Sequence, residues 1–157
     1  MIELINFINL EYDEKVMILN WRNHPKIKSV MHNNLDILLD DHLNFIESLK
    51  KRDDKKYFLV KENSLNIGVI DFINITKYEA ELGIYSNPDL RGYGTLLLSE
   101  ICTYAFETLK VQVLKAEVYK TNVTAIQLYQ KFNFKEIQSK NKENKEIIYM
   151  ELKNENW

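Results

Sequence analysis

The chain has 157 residues, and its 21 Lys and Arg against 23 Asp and Glu leave a formal net charge of −2. One domain spanning 1–157 is expected, large enough to bury a real core, and 45% apolar with 28% charged residues is the balance of an ordinary globular protein. The charge speaks against a nucleic-acid footprint, the apolar runs are far too short to span a membrane, and Met1-Ile2-Glu3-Leu4 lacks the basic start of a signal peptide, so the expected location is cytoplasmic.

In chain order, Ile2 to Ile8 reads as a strand and Asp13 to Arg22 as a helix that stops before Pro25, because the residue preceding a proline avoids the helical region. Lys26 to Leu39 has no clear period, though a short helix fits there. Asp40 has the chemistry of an N-cap for a helix reaching about Lys51, with Leu43, Ile46 and Leu49 facing inward. Tyr57 to Lys61, Ile67 to Ile75 and Glu79 to Tyr85 read as three strands. The polar connections between them are short enough for an antiparallel meander. A helix from Leu96 to Leu109 carries Leu98, Ile101, Cys102, Ala105 and Leu109 on one stripe, which makes the single cysteine a core thiol. Lys115 to Tyr119 alternates as a strand. The strand–helix–strand unit requires it to run parallel to Glu79–Tyr85. A helix over Val123 to Phe132 and a hairpin of Phe134–Ser139 with Lys145–Leu152 complete an α/β chain. Its sheet is mixed and mostly antiparallel, with one parallel joint.

Two of the four glycines fall in Leu90-Arg91-Gly92-Tyr93-Gly94-Thr95, between a strand and a helix. Glycine tolerates φ > 0 and lets a ligand approach the main chain. The first amides of a helix lack internal partners and sit at the positive end of its dipole. Strand, glycine loop and helix start together form an anion site, most often for phosphate, and Arg91 adds a planar cationic fork. The loop matches neither a P-loop nor a dinucleotide fingerprint, since no Gly-Lys-Ser/Thr and no third glycine follow.

About thirty residues on comes Asn122-Val123-Thr124-Ala125-Ile126-Gln127-Leu128-Tyr129-Gln130-Lys131-Phe132-Asn133-Phe134. R-G-x-G followed by N-x-x-A-x-x-L-Y-x-K-x-x-F resembles the GCN5-related N-acetyltransferase (GNAT) family, and the order of elements agrees along nearly the whole chain. The resemblance implies two central parallel strands that splay apart to admit acetyl-CoA, flanked by helices, with no metal. It implies an acetyl-CoA side over 79–134, where Arg91, Gly92, Tyr93, Gly94 and Thr95 hold the pyrophosphate. The strand end Ile84, Tyr85 and Ser86 and the side chain of Asn122 would meet the pantetheine, and Tyr129 would be the general acid. Two positions depart from the family pattern. Leu96 stands where a small residue is usual, and Asn133 replaces a glycine, a substitution that a left-handed helix cap tolerates.

The segment 1–78 should form most of the acceptor side. Trp21-Arg22-Asn23-His24-Pro25, Asp41-His42-Leu43-Asn44-Phe45-Ile46 and Gly68-Val69-Ile70-Asp71-Phe72 resemble those members of the family that acetylate the 4-amino group of a UDP-linked amino-dideoxy sugar. Arg22, His24, His42, Asp71 and Tyr85 are the candidate acceptor contacts, and Arg22 suits a diphosphate. His32 is a further donor or stacking surface. The expected partners are a UDP-amino sugar and, as a possible assembly, a second copy of the chain in a homodimer; nucleic acid and membrane are not expected.

The implied reaction is direct attack of a neutral amine on the thioester within a ternary complex. A thiol titrates near about 8.5 and a tyrosine near about 10. Tyr129 therefore needs either a lowered pKa or a role as a hydrogen-bond donor to the leaving sulfur. A main-chain N–H near Tyr85 would hold the oxyanion. Glu117, directly or through a water, is the favoured base, with Glu79, Glu81 and Asp71 on neighbouring strands. Acylation of a protein N-terminus or a small amine, or a non-catalytic acyl-CoA-binding module, are the alternatives.

Overall fold

The computed structural model describes residues 1–32 and 35–157. Seven strands form one sheet: β1 (Ile2–Asn6), β2 (Lys56–Glu62), β3 (Leu65–Ile73), β4 (Glu79–Ser86), β5 (Val113–Tyr119), β6 (Lys135–Lys142) and β7 (Lys145–Lys153), in the order β1-β2-β3-β4-β5-β7-β6. Five α-helices accompany it: α1 (Tyr12–Asn23), α2 (Pro25–Lys28), α3 (Leu39–Ser48), α4 (Gly94–Thr103) and α5 (Val123–Lys131). All strand pairs are antiparallel except β4 with β5.

Several boundaries differ from the sequence reading, each for a local reason. The first strand ends at Asn6, whose side chain accepts from Ile8 N–H and starts a 3-10 turn over Phe7–Asn9. Asp40 does not cap α3. Leu38 occupies the N-cap without a side-chain bond, and Asp40 and Asp41 lie in the first turn, where negative charge suits the dipole. Pro25 occupies the first turn of α2, a position that needs no N–H. Residues 33 and 34 of the stretch with no clear period lie outside the described residues. The helix after the glycine loop starts two residues early, at Gly94, and its last turn widens into a π-helix over Tyr104–Leu109 before Lys110 leaves at φ 58°. Two hairpins turn on two residues each, Asn63-Ser64 and Glu143-Asn144, all at positive φ despite having no glycine. Asn133 takes φ 73° after α5, the left-handed cap expected of it.

The inner strands are covered on both faces, while β6 at the edge is exposed throughout. Phe58, Val60, Ile70 and Phe72 pack against Leu97, Leu98, Ile101, Cys102 and Ala105 of the α4 side. On the other face, Leu59 and Val69 pack with Ile18, Trp21, Ile46 and Leu49 from the α1 and α3 side. The Cys102 thiol is fully buried, and its surroundings push it up to about 12, as suits a packing residue rather than a nucleophile.

The feature that positions the site is where β4 and β5 stop pairing. They match only at Glu79↔Val113, Ala80↔Leu114 and Glu81↔Lys115. Beyond that, β4 stays with β3 as far as Gly68↔Ser86, and β5 stays with β7 as far as Tyr119↔Ile147. Two strands each held by an outer neighbour thus diverge, leaving facing edges with unpaired main-chain groups.

Gly68 lets α4 lie close over the strand ends. A Cβ there would meet the main-chain oxygen of Tyr85 at 2.5 Å and Leu97 Cδ1 and Ser86 Cα at 3.0 Å. The Gly68→Ala variant is expected to lose about 1–3 kcal/mol and roughly 3–10 °C in Tm. Thermal unfolding followed by circular dichroism checks this, and an unchanged Tm would mean that helix and strand are not locked together there.

Candidate active site

The divergence of β4 and β5 opens a cavity of about 520 Å³. Of the residues singled out in the sequence, Arg22, His42, Asp71, Ile84, Tyr85, Glu117, Asn122 and Tyr129 all line it. They come from six elements, so the fold gathers what the sequence only hinted at.

The loop at the mouth has the expected form. Gly92 takes φ 83°, and nothing lies within 4 Å of where its Cβ would be, so the main chain is open to a ligand. Tyr93 is the N-cap of α4 and supplies no side-chain bond. The first α4 amides are therefore available to an anion. Arg91 and Thr95 are exposed beside them, and Leu96, the departure from the family pattern, is partly buried against the core. These are residues that fit a pyrophosphate. Asn122 caps α5, its Oδ1 accepting from Ala125 N–H at 3.3 Å. Ile84, Tyr85 and Ser86 occupy the end of β4 beyond its last pairing with β5, so that edge is open to a ligand's amides.

Tyr129 is 4% exposed, and its ring packs 5.3 Å from Phe134. Burial, with the nearby Asp71 charge, pushes its pKa upward. A neutral hydroxyl that holds its proton is suited to donating a hydrogen bond. A lowered pKa, the other expectation from the sequence, is the opposite of the direction burial imposes here.

On the acceptor side, Asp71 is buried with its carboxyl over Gly83, the residue opposite it on β4. Burial raises it from an ordinary 3.8 to about 7, the Glu81 charge adds to this, and Lys55 and Arg22 oppose it. The hydroxyls of Tyr57 and Tyr85 are likewise pushed up by burial and by the Asp71 charge. His42 is buried, and its Nε2–H donates to the Lys15 carbonyl at 2.8 Å; burial depresses its pKa, so it is neutral. His24 is not brought to the cavity. Its Nδ1 accepts from Lys26 N–H at 3.1 Å and caps α2, and its ring sits by Trp21, Pro88 and Asp89 at a separate surface depression.

Sequence reasoning missed the aromatic wall made by Phe7, Phe45 and Tyr57, whose rings lie 5.0–5.4 Å apart. It also missed Tyr119, whose hydroxyl donates to the Met31 carbonyl at 3.3 Å and ties β5 to the segment after α2. Among the described residues no group of three or more His, Cys, Asp or Glu is arranged to hold a metal ion, and no helix is long and apolar enough to cross a membrane.

A split sheet with a helix-capped anion loop at its mouth and a tyrosine inside is the architecture of an acyl-CoA-dependent transferase. A family model for the acetyltransferase (GNAT) domain matches residues 5–135, and the chain belongs to this family. It is an acetyl-CoA-dependent acetyltransferase. Among its relatives, the acetyltransferase PseH of Campylobacter jejuni subsp. jejuni serotype O:2 is 48% identical over 134 residues, 85% of each chain. The crystal structure of Campylobacter jejuni N-acetyltransferase PseH in complex with acetyl coenzyme A superposes with a TM-score of 0.82 at 40% identity, covering 98% of this chain and 99% of that one. A spermidine N-acetyltransferase from Vibrio cholerae, solved with CoA and spermine, reaches a TM-score of 0.89 at 20% identity over 99% and 96% of the chains, a likeness of fold alone.

The raised Asp71 carboxyl has a consequence for stability. Between about 4 and about 7 the folded protein binds the extra proton, so this group favours the fold at low pH, and that contribution fades as pH rises through 7. Asp71→Asn is expected to stabilise the ligand-free protein at pH 8, by a few kcal/mol at most, and to make little difference at pH 4. Urea unfolding of both proteins at the two pH values measures this; equal midpoints at pH 8 would show that Asp71 is ordinarily ionised.

Proposed function

We propose that this chain transfers the acetyl group of acetyl-CoA to the 4-amino group of a UDP-linked amino-dideoxy sugar, as in the assembly of pseudaminic acid. The observation that carries the reading is the shared cavity. The donor residues at the divergence of β4 and β5 open directly onto the pocket built by Arg22, His42, Asp71 and the aromatic wall. The likeness to PseH over most of both chains supports the same assignment.

The residues divide by task. Gly92, Gly94 and Thr95 offer main-chain amides to the pyrophosphate, with Arg91 adding charge and Tyr93 a flanking ring. The open edge at Ile84, Tyr85 and Ser86 and the Asn122 side chain align the pantetheine. Acetyl-CoA supplies an acyl group activated on sulfur. A main-chain N–H near Tyr85 steadies the oxyanion. Tyr129 donates a hydrogen bond to the sulfur as it leaves. Its raised pKa makes it an unfavourable full proton donor, so its work is to stabilise charge rather than to ionise. Glu117 accepts the proton of the incoming ammonium.

Arg22 is the natural partner for the acceptor's diphosphate. The aromatic wall of Phe7, Phe45 and Tyr57 supplies apolar area for the deoxy face of the sugar.

Release of CoASH should be seen with a UDP-4-amino-4,6-dideoxy sugar and not with a peptide N-terminus. Transfer to the peptide alone would overturn the acceptor assignment. Tyr129→Phe should lower kcat about 10²-fold while acetyl-CoA affinity, measured by calorimetry, stays within about twofold because no binding contact is removed. Unaltered turnover in that variant would take Tyr129 out of the mechanism.

A further inference from the structure

Two carboxylates face one another where the sheet divides. Glu81 stands at the last paired position of β4, opposite Lys115. Glu117 is two residues further along β5, so its side chain leaves the same face as that of Lys115. Both line the cavity, and the Glu117 charge reaches Glu81 across the divide. Two carboxylates on one cavity wall repel each other, and a single proton taken up by either relieves that repulsion.

The surroundings support the pair without neutralising it. Lys115, the nearest cation, is bound to Glu79 at 2.7 Å. Tyr149 of β7 pairs with Glu117 in the ladder, and Asn74 follows β3 beside Glu81. On β3, the buried Asp71 carboxyl also feels the Glu81 charge. His32 Nε2 is 3.7 Å from Glu117 Oε2, and its half-exposed ring stands edge-on to Tyr119 at 5.1 Å, connecting the pair with solvent.

We propose that Glu81 and Glu117 act as one proton acceptor, the proton that Glu117 takes from the acceptor ammonium being held between the two carboxyl groups. The idea rests on the acyl-transfer reading above and specifies its base. In the step, an N–H bond of the ammonium breaks and its electron pair stays on nitrogen. An O–H bond forms on Glu117, and Glu81 accepts the hydrogen bond from it. The freed amine adds to the thioester carbonyl. As the C–S bond breaks, the second nitrogen proton passes to the sulfur, and the proton on the pair leaves to solvent past His32. Ammonium and thioester give amide, thiol and one proton.

Glu81 is a positioning residue here, working through Glu117. A lone exposed carboxylate is a poor base for an ammonium. A second carboxylate alongside strengthens it, because taking up one proton relieves the repulsion of two like charges. Burial first, and then the Glu117 charge, push Glu81 up to about 7, so the pair gains its full basicity as pH rises through 7.

The test combines 13C NMR titration of the glutamate carboxyls with kcat and kcat/KM against pH, using a UDP-4-amino-4,6-dideoxy sugar, for wild type, Glu81→Gln and Glu117→Gln. In wild type one carboxyl should titrate near 7, and in Glu117→Gln it should move toward the ordinary carboxylate range. Glu81→Gln should lower kcat at least about tenfold, leave KM for acetyl-CoA unchanged, and move the acid limb down by more than one pH unit. Any limb belonging to the acceptor amine persists in both proteins. Two carboxyls titrating independently in the ordinary range, or a Glu81→Gln profile that overlays wild type, overturns the proposal. If Glu81→Gln does not fold, the titration of the other two proteins decides. A wild type that acetylates spermidine but no UDP-amino sugar overturns the acceptor assignment, and the Glu81→Gln profile with spermidine still decides the carboxyl pair.

Discussion

Everything in this molecule depends on two parallel strands that start together and are prevented from staying together. Unpaired main-chain groups in a protein interior cost free energy comparable to a lost hydrogen bond. The opening persists because β4 is committed to β3 as far as Ser86 and β5 to β7 as far as Tyr119, each with a full antiparallel ladder. The unsatisfied edges left behind suit a ligand rich in amides, which is what the pantetheine arm offers. Core packing reinforces the geometry: Gly68 brings α4 down on the ends of β3 and β4, and α4 carries the anion loop at its head.

The chemistry inside the opening is governed by burial more than by charge pairing. Asp71, Glu81, Tyr57, Tyr85 and Tyr129 are all pushed toward their neutral forms, and in every case burial is the first cause. Buried phenols that hold their protons are suited to donating hydrogen bonds. Lys55 and Arg22 oppose that trend at Asp71, and burial outweighs them. The same low-dielectric setting that holds Tyr129 neutral strengthens any hydrogen bond its hydroxyl makes, relative to water.

How much of this was legible in the sequence depended on how local each feature is. The glycine loop, the Asn122 cap and Tyr129 sit in short motifs whose spacing encodes their geometry, and the strand–helix–strand order required the parallel joint. Short-range competition hid other features. Asp40 has capping chemistry, but the chain enters α3 two residues earlier, so it became a first-turn charge. His24 looked like an acceptor contact and instead satisfies an amide of α2. The two tight hairpin turns carry no glycine, which blurred the strand ends. The aromatic wall and the meeting of Glu81 with Glu117 join residues distant in the chain, and no periodicity records which of them share a cavity.

The seam between β4 and β5 is only three residue pairs long, and most sheet hydrogen bonding lies within the groups on either side of it. Mechanically, the enzyme is two small sheets sutured at one end. Each side keeps its own ladders, β1 through β4 on one and β5 through β7 on the other. A designer grafting a new pocket would therefore keep β3 and β4 together, because a junction in the turn before Glu79 would divide their six-pair ladder.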